Sequence, residues 1–173
     1  MRVAVIIPCH IHYKGQLEKL LNCINSLKEQ THTCTIIIGI SFASNEYYSI
    51  FKNKVFPLVK RYVKFIIQRE QTYQIMHIYN CLQKVNDHDY ILFCDDDDTY
   101  HTLRTQQFMQ TTRTTELQID MINETRDVTL PKLELAGVYE NISQPTHHTK
   151  RHEYWCYCIR MDLLTRFFNV DKS

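Results

Sequence analysis

The chain has 173 residues, 20 Lys and Arg against 19 Asp and Glu, a formal net charge of +1, and 44% hydrophobic residues. This is an ordinary soluble globular composition with room for one domain with its own core, or two small ones, and it excludes a disordered or fibrous chain. The balanced charge also excludes a general nucleic-acid coat, whose affinity needs clustered cation excess.

The longest apolar runs, residues 3–8 and 36–40, fall far short of the roughly 20 residues of a membrane span, so no transmembrane segment is predicted. Residues 1–9 read as a buried strand, lacking the long apolar stretch and cleavage site of a signal peptide. Seven cysteines stand at 9, 23, 34, 81, 94, 156 and 158 with no CxxC pair, mostly inside apolar segments. This predicts a reducing, intracellular, cytoplasmic setting without a disulfide framework.

In chain order, residues 2–8 form a continuous β-branched apolar run, the mark of a buried parallel strand. Leu17, Leu20, Leu21, Ile24 and Leu27 then recur at helical spacing. Residues 35–42 predict a second buried strand. Residues 45–60 predict a helix with Tyr48, Phe51, Val55 and Val59 on one face. A third strand is expected at 62–67, and Ile75, Ile78, Tyr79, Leu82 and Val85 mark a third helix. Residues 90–94 predict a fourth strand that runs directly into Asp95, Asp96, Asp97 and Asp98. A helix is expected within 103–115, and irregular chain over 119–150 apart from a strand at 135–139. A β-prone stretch at 153–160 and a closing helix at 161–168 complete the chain.

Strands alternating with helices imply parallel pairing through right-handed crossovers, an α/β doubly wound sheet. Ligands of such sheets bind outside the carboxyl ends of the strands. The positions to search are therefore Cys9-His10, Ser41, Gln68-Arg69 and the acidic run.

Four adjacent carboxylates at a strand end repel one another beside a low-dielectric core. A divalent cation removes that cost, and hard carboxylate oxygens favour Mn²⁺ or Mg²⁺. On an extended chain Asp95 and Asp97 would share one face, with Asp96 and Asp98 on the other. The plainer reading is a solvated acidic turn that caps the next helix.

The segment Tyr90-Ile91-Leu92-Phe93-Cys94 followed by the four aspartates resembles the DxD segment of nucleotide-sugar glycosyltransferases of the GT-A fold, above all glycosyltransferase family 2. Val3-Ala4-Val5-Ile6-Ile7-Pro8-Cys9-His10 resembles that family's first strand, which ends against the nucleotide base. Ser26-Leu27 followed by Gln30-Thr31 is similar to its usual "SL..QT" run. The resemblance spans residues 2–104 well and 150–169 loosely.

It implies a Rossmann-like GT-A fold with a mostly parallel central sheet flanked by helices, as one domain over 1–173. Residues 1–104 would be the nucleotide-sugar-binding half and 105–173 an abbreviated acceptor half, or the sequence a fragment of a longer enzyme. The implied activity is that of a hexosyltransferase. It would move a sugar from a UDP- or GDP-sugar to a glycan or other hydroxyl acceptor, with inversion and with Mn²⁺ or Mg²⁺.

Metal ligands would be Asp97 with Asp95 or Asp98. Nucleotide contacts would come from Pro8, His10, Ser41, Arg69, His77, Asp95 and Asp96, with His77 read on the polar side of its helix near the N-terminus. For the catalytic base the candidates are Glu153 and Asp162, with Asp127 a rival. His101 and Arg104 could orient the acidic run.

Two departures from the family pattern matter. Ser41 stands where the family carries aspartate after its second strand, which leaves the base preference open. The family's late Glu-Asp pair is missing.

His147, His148 and His152 could complete a metal shell, touch phosphate or sit on a solvated loop. Cys156 and Cys158 lack the spacing of a zinc site. Tyr154, Trp155 and Tyr157 could be core or a sugar-stacking platform.

Two rival functions stand beside the transferase. Asp95-x-Asp97-x-Thr99 matches the nucleophile motif of haloacid-dehalogenase-type phosphatases, although three β-α units precede it. A non-catalytic nucleotide-sugar-binding domain would account for the missing Glu-Asp pair.

Overall fold

The computed structural model describes residues 1–85, 87–111, 119–124, 133–139 and 157–169; for 111, 119–124, 133–139 and 157 the description is of backbone alone. The strands are β1 (Val3–Ile11), β2 (Thr35–Phe42), β3 (Val63–Ile67), β4 (Tyr90–Phe93), β5 (Ile119–Glu124), β6 (Leu133–Tyr139) and β7 (Tyr157–Arg160). The helices are α1 (Gln16–Lys28), α2 (Asn45–Ile50), α3 (Phe56–Val59), α4 (Gln74–Leu82), α5 (Arg104–Thr111) and α6 (Met161–Phe167).

Among the described residues the strands form one sheet in the order β3-β2-β1-β4-β7-β5-β6. β1 pairs in parallel with β2 and β4, and β2 with β3. β7 runs antiparallel to β4 and β5, and β6 antiparallel to β5. These pairings point β1 through β5 one way and β6 and β7 the other, giving the expected α/β sheet with mostly co-directional strands.

Side-chain alternation along the strands divides the core into two. Val3, Val5, Ile7, Ile36, Ile38, Ile40 and Leu92 pack against Leu17, Leu20, Ile24 and Leu27 of α1 and against Phe51, Val55 and Val59. Ala4, Ile6, Ile37, Ile91 and Phe93 pack on the opposite face against Ile78, Cys81 and Leu82 of α4 and Met161 and Leu164 of α6. Burial on both faces is why β1 and β2 read as unbroken apolar runs.

The structure corrects four sequence expectations. β1 runs on to Ile11, because its last residues still pair with β2 through His10↔Ser41 and Ile11↔Phe42. The helix expected over 45–60 is broken by a π-helical turn at Phe51–Val55. Pro57 follows in the first turn of α3 and has no amide hydrogen for the bond back to Asn53, so the register slips there. Phe51, Val55 and Val59 are buried as expected, but Tyr48 is exposed.

β5 lies in chain expected to be irregular. Met121 and Ile122 are adjacent apolar residues, which hides the period of two in the sequence; the register shift beside them leaves Ala136 of β6 as the extra residue, with Met121 opposite Gly137 and Ile122 opposite Leu135. Of the stretch 153–160 expected as a strand, Tyr157–Arg160 forms β7 and 153–156 lie outside the described residues. Among the described residues, no helix is long and apolar enough to cross a membrane.

Candidate functional site

The site begins where β1 and β4 part. β4 follows β1 only from Val3↔Tyr90 to Ile6↔Phe93, closed by the bond from Cys94 N–H to Ile6 O. Pro8 is two residues on, so its backbone nitrogen faces the side that β4 has left. A proline is tolerated inside this central strand because the missing N–H has no partner strand there. β1 continues beside β2 alone, and a crevice opens at the carboxyl edge between β1 and β4. The crossover after β1 leads to β2 on one side of it, while β4 lies on the other, which makes it a topological switch point.

The acidic run lies on the rim of this crevice. The chain turns at Asp96 and Asp97, with Asp98 N–H donating to Asp95 O at 3.3 Å. This turn overturns the expected sharing of faces, since alternation holds only for extended chain. Asp96 faces the α1 side, where its Oδ2 accepts from Cys9 Sγ at 3.0 Å and Gln16 Nε2 at 2.6 Å. Burial and the nearby Asp96 charge push the Cys9 thiol up, so it stays protonated and donates. Exposed Asp97 pairs with Lys19 Nζ at 3.2 Å, and Asp95 Oδ1 meets Gln74 Nε2 of α4 at 3.5 Å. The run therefore straddles the sheet edge, and among the described residues no three His, Cys, Asp or Glu side chains converge as a metal shell.

The chain beyond the acidic run is fastened to the end of α1. Tyr100 N–H donates to Ser26 Oγ at 3.0 Å, and Gln30 Nε2 donates to His101 O at 2.9 Å. Gln30 Oε1 accepts from Thr105 N–H at 3.1 Å, and Thr31 N–H donates to Thr102 O at 3.0 Å. Buried Tyr100 donates its hydroxyl proton to Phe93 O, and the fully buried Arg104 guanidinium stacks on its ring at 4.4 Å. Thus the turn hangs between β4 and a rigid return. The residues of the "SL..QT" run are the fasteners, and Arg104 orients the return from beneath.

On the α4 side, His10 and Ser41 are register neighbours on β1 and β2. Ser41 is fully buried and its Oγ lies 2.8 Å from His10 Nδ1 and 2.9 Å from His77 Nε2. His77 is 1% exposed, so it does not sit on the polar side of α4; it faces the sheet. It can do so because Gly39, two residues before Ser41, leaves space: a Cβ there would lie 3.0 Å from His77 Cβ and 3.0 Å from His77 O. Burial holds the His77 imidazole down at about 4, and the nearby His10 adds to this. Burial also lowers His10, with His12 contributing.

The structure thus brings Pro8, His10, Ser41, His77, Asp95, Asp96, Asp97 and Asp98 to one edge of the sheet. Arg69 lies exposed just past β3, two strands out from β1. Asp162 is not brought there. It sits at the β7–α6 junction, where Arg160 pairs with Tyr90 at the start of β4. Asp95 is five residues further along, roughly 15 Å at strand rise. Arg160 Nε donates to Asp162 at 2.9 Å, and this bond holds its carboxyl below the usual range. Glu153, Asp127, His147, His148, His152, Tyr154, Trp155 and Cys156 lie outside the described residues.

Sequence reading passed over Gln16, Lys19 and Gln74, which hold the acidic run. Gln16 carried a readable signal: it lies four residues before Leu20 on the buried face of α1, a polar residue in an apolar stripe.

No protein-family model and no curated protein matches the chain. Solved structures do share its fold. It superposes on S. aureus TarS with a TM-score of 0.64 at 13% identity, covering 96% of this chain and 29% of that one. It superposes on S. aureus TarS 1-349 in complex with UDP with a TM-score of 0.62 at 13% identity, over 96% of this chain and 49% of that one. The mannosyltransferase PcManGT from Pyrobaculum calidifontis, in complex with GDP-Man and Mn²⁺, gives 0.54 at 14% identity, over 73% and 36%. The chain spans less than half the length of each of these.

Proposed function

We propose that the protein is a metal-dependent glycosyltransferase that moves a hexosyl group from a UDP- or GDP-sugar to a hydroxyl acceptor with inversion. One observation carries the reading: a run of carboxylates rims the crevice between β1 and β4, at the carboxyl edge of the sheet. The shared fold with structures solved with UDP and with GDP-Man and Mn²⁺ supports it.

In this reading Asp97, with Asp95 and Asp98, holds Mn²⁺ or Mg²⁺. The donor set suits it, being hard carboxylate oxygens, with Asp97 exposed and paired to an exposed ammonium that a cation could displace. An ion held there would supply positive charge against the diphosphate leaving group. Asp96, tied to Cys9 and Gln16, fixes the turn and orients the others. The nucleoside would lie against Pro8 and His10, with Ser41 and His77 behind His10, and Arg69 just past β3 is the candidate cation for its outer side.

The acceptor oxygen attacks the anomeric carbon from the face opposite the leaving phosphate. The new C–O bond forms as the bond to phosphate breaks, and the acceptor's proton passes to a carboxylate. Glu153 is our choice for that base. β7 pairs with β4 as far as Leu92↔Cys158, so the chain enters β7 at Tyr157 from the edge that bears the acidic run, and Glu153 stands four residues earlier in the sequence. Residues 1–104 act as the nucleotide half and 105–173 as the acceptor half.

The test is a thermal-shift panel of nucleoside diphosphates with and without Mn²⁺, followed by a transfer assay. Stabilisation that needs both diphosphate and metal and vanishes in Asp97→Ala is the expected result. Asp95→Asn separates this reading from a phosphatase, which would lose its nucleophile outright. Absence of a shift with every diphosphate would overturn the proposal.

A further inference from the structure

We infer that Ser41 and His77 lock the imidazole of His10 in one tautomer, so that His10 presents a fixed N–H donor at the crevice and selects ligands that offer a carbonyl oxygen there. The inference rests on the nucleotide-binding reading for its ligand, though not for the tautomer itself.

Ser41 Oγ is fully buried, and the partners given by the structure are His10 Nδ1 at 2.8 Å and His77 Nε2 at 2.9 Å. A serine hydroxyl has one proton to donate. If both rings donated to it, that proton would be buried without an acceptor. One ring must therefore donate and the other accept.

His77 decides which. Its Nδ1 is buried with no hydrogen-bond partner. Were the His77 proton on Nδ1, a buried N–H would be orphaned, the rarer and costlier defect. With the proton on Nε2, only a lone pair goes unused. His77 Nε2–H therefore donates to Ser41 Oγ, and the Ser41 hydroxyl donates to His10 Nδ1. His10 must then carry its own proton on Nε2, at the edge of the ring turned away from Ser41. The ring is part-exposed at the end of β1, beside the opening left by β4.

The low position of His77, at about 4, keeps the chain of rings neutral at physiological pH. The polarity runs opposite to what a carboxylate at position 41 would give. An aspartate there would accept from a ligand N–H; this chain ends in a donor. A base that turns a keto oxygen at pyrimidine C4 or purine C6 to this donor, as uracil and guanine can, suits it better than one with an amino group at that position, as in cytosine and adenine.

The experiment uses the full chain with ¹⁵N-labelled histidine and long-range ¹H–¹⁵N spectra, with His10 assigned through His10→Gln. The expected result is a pyrrole-like Nε2 and a pyridine-like Nδ1 at His10. In Ser41→Ala and His77→Phe the lock is lost and His10 becomes a tautomer mixture. His77→Gln, whose amide can still donate to Ser41, retains it. UDP and GDP with Mn²⁺ should bind roughly five- to tenfold tighter than CDP and ADP, the value of one hydrogen bond, and His77→Phe should erase that preference. A proton on His10 Nδ1 in the wild type overturns the inference, as does equal binding of all four diphosphates. If none of them binds, the nucleotide reading fails while the spectra still judge the lock.

Discussion

Gly39→Ala tests how closely α4 must approach the sheet for the site to exist. Gly39 lies on β2 between Pro8 of β1 and Ile66 of β3, beneath α4. A Cβ at this position would lie 3.0 Å from His77 Cβ, 3.0 Å from His77 O and 3.1 Å from Cys81 Sγ. Ordinary carbon contacts begin some tenths of an ångström further out. Two of the three atoms belong to the rigid part of a helix, so relief requires α4 to move as a body. Overpacking of this kind costs about 1–3 kcal/mol. Against it stands a gain of about 0.4–1 kcal/mol, because alanine restricts the unfolded chain more than glycine does. The steric term wins, and a net loss of about 0.5–2 kcal/mol is expected. Urea unfolding followed by circular dichroism should show a lower midpoint at unchanged slope. The larger Gly39→Val should lose more. Because the shift is directed at His77, the Ser41–His77 contact should lengthen before the strands part. A Gly39→Ala protein as stable as the wild type would refute the close approach and the packing argument with it.

Three further outcomes follow from the same contacts. Gln30→Ala removes bonds to Ser26, His101 and Thr105 from a residue 6% exposed and leaves buried Thr105 N–H unmet, so a loss of about 2–4 kcal/mol is expected in denaturant titration. His77, held at about 4 when folded, binds its proton more readily in the unfolded chain, near 6.5. Its neutral burial therefore contributes fully above about pH 6.5 and is lost progressively as pH falls toward 4, by up to roughly 3 kcal/mol; His77→Gln should flatten that part of the stability profile. The Asp162 carboxyl is depressed by Arg160, so its contribution is present above the unfolded value near 4 and lost as pH falls through the folded one. The pair is half-exposed, so Asp162→Asn should cost under about 1 kcal/mol at neutral pH and leave sugar transfer unchanged.

The first four strands and the carboxyl edge as the place of the site were legible because buried parallel strands write themselves as apolar runs; their order in the sheet was not. β1, β2 and β4 each did so, and the helical stripe of Leu17, Leu20, Ile24 and Leu27 fixed the face of α1. The acidic run was legible for the same reason: it begins where the apolar run of β4 stops. Its geometry was not legible, because a turn and an extended segment share the sequence Asp-Asp-Asp-Asp and only the fasteners at Ser26, Gln30 and Tyr100 decide between them. β5 escaped because the adjacent apolar pair Met121-Ile122 interrupts the apolar-polar alternation of a short strand. The facing of His77 was misread although it stands four residues before Cys81 and eight before Val85, on the buried stripe of α4, because a polar side chain in such a stripe is read by default as its polar margin. The deciding residue is Gly39, thirty-eight positions earlier, and its meaning needs the third dimension.

The two sides of the crevice divide their polarity by burial. On the α1 side the carboxylates stand on a turn that water reaches, with Asp97 exposed and Asp96 satisfied by two donors. On the α4 side Ser41 and His77 are buried, and an unpaired charge there would cost several kcal/mol, so the chain from His77 to His10 is neutral. Charge has been left where solvent can stabilise it and hydrogen-bond direction kept where solvent cannot interfere. A ligand with one anionic end and one neutral, hydrogen-bonding end can satisfy both sides in only one orientation. On the proposed function, the anionic end goes with a cation held at the turn and the neutral end against His10. The same division makes the two ends separable by experiment, since removing metal should weaken every diphosphate alike while unlocking His10 should change only the order among bases.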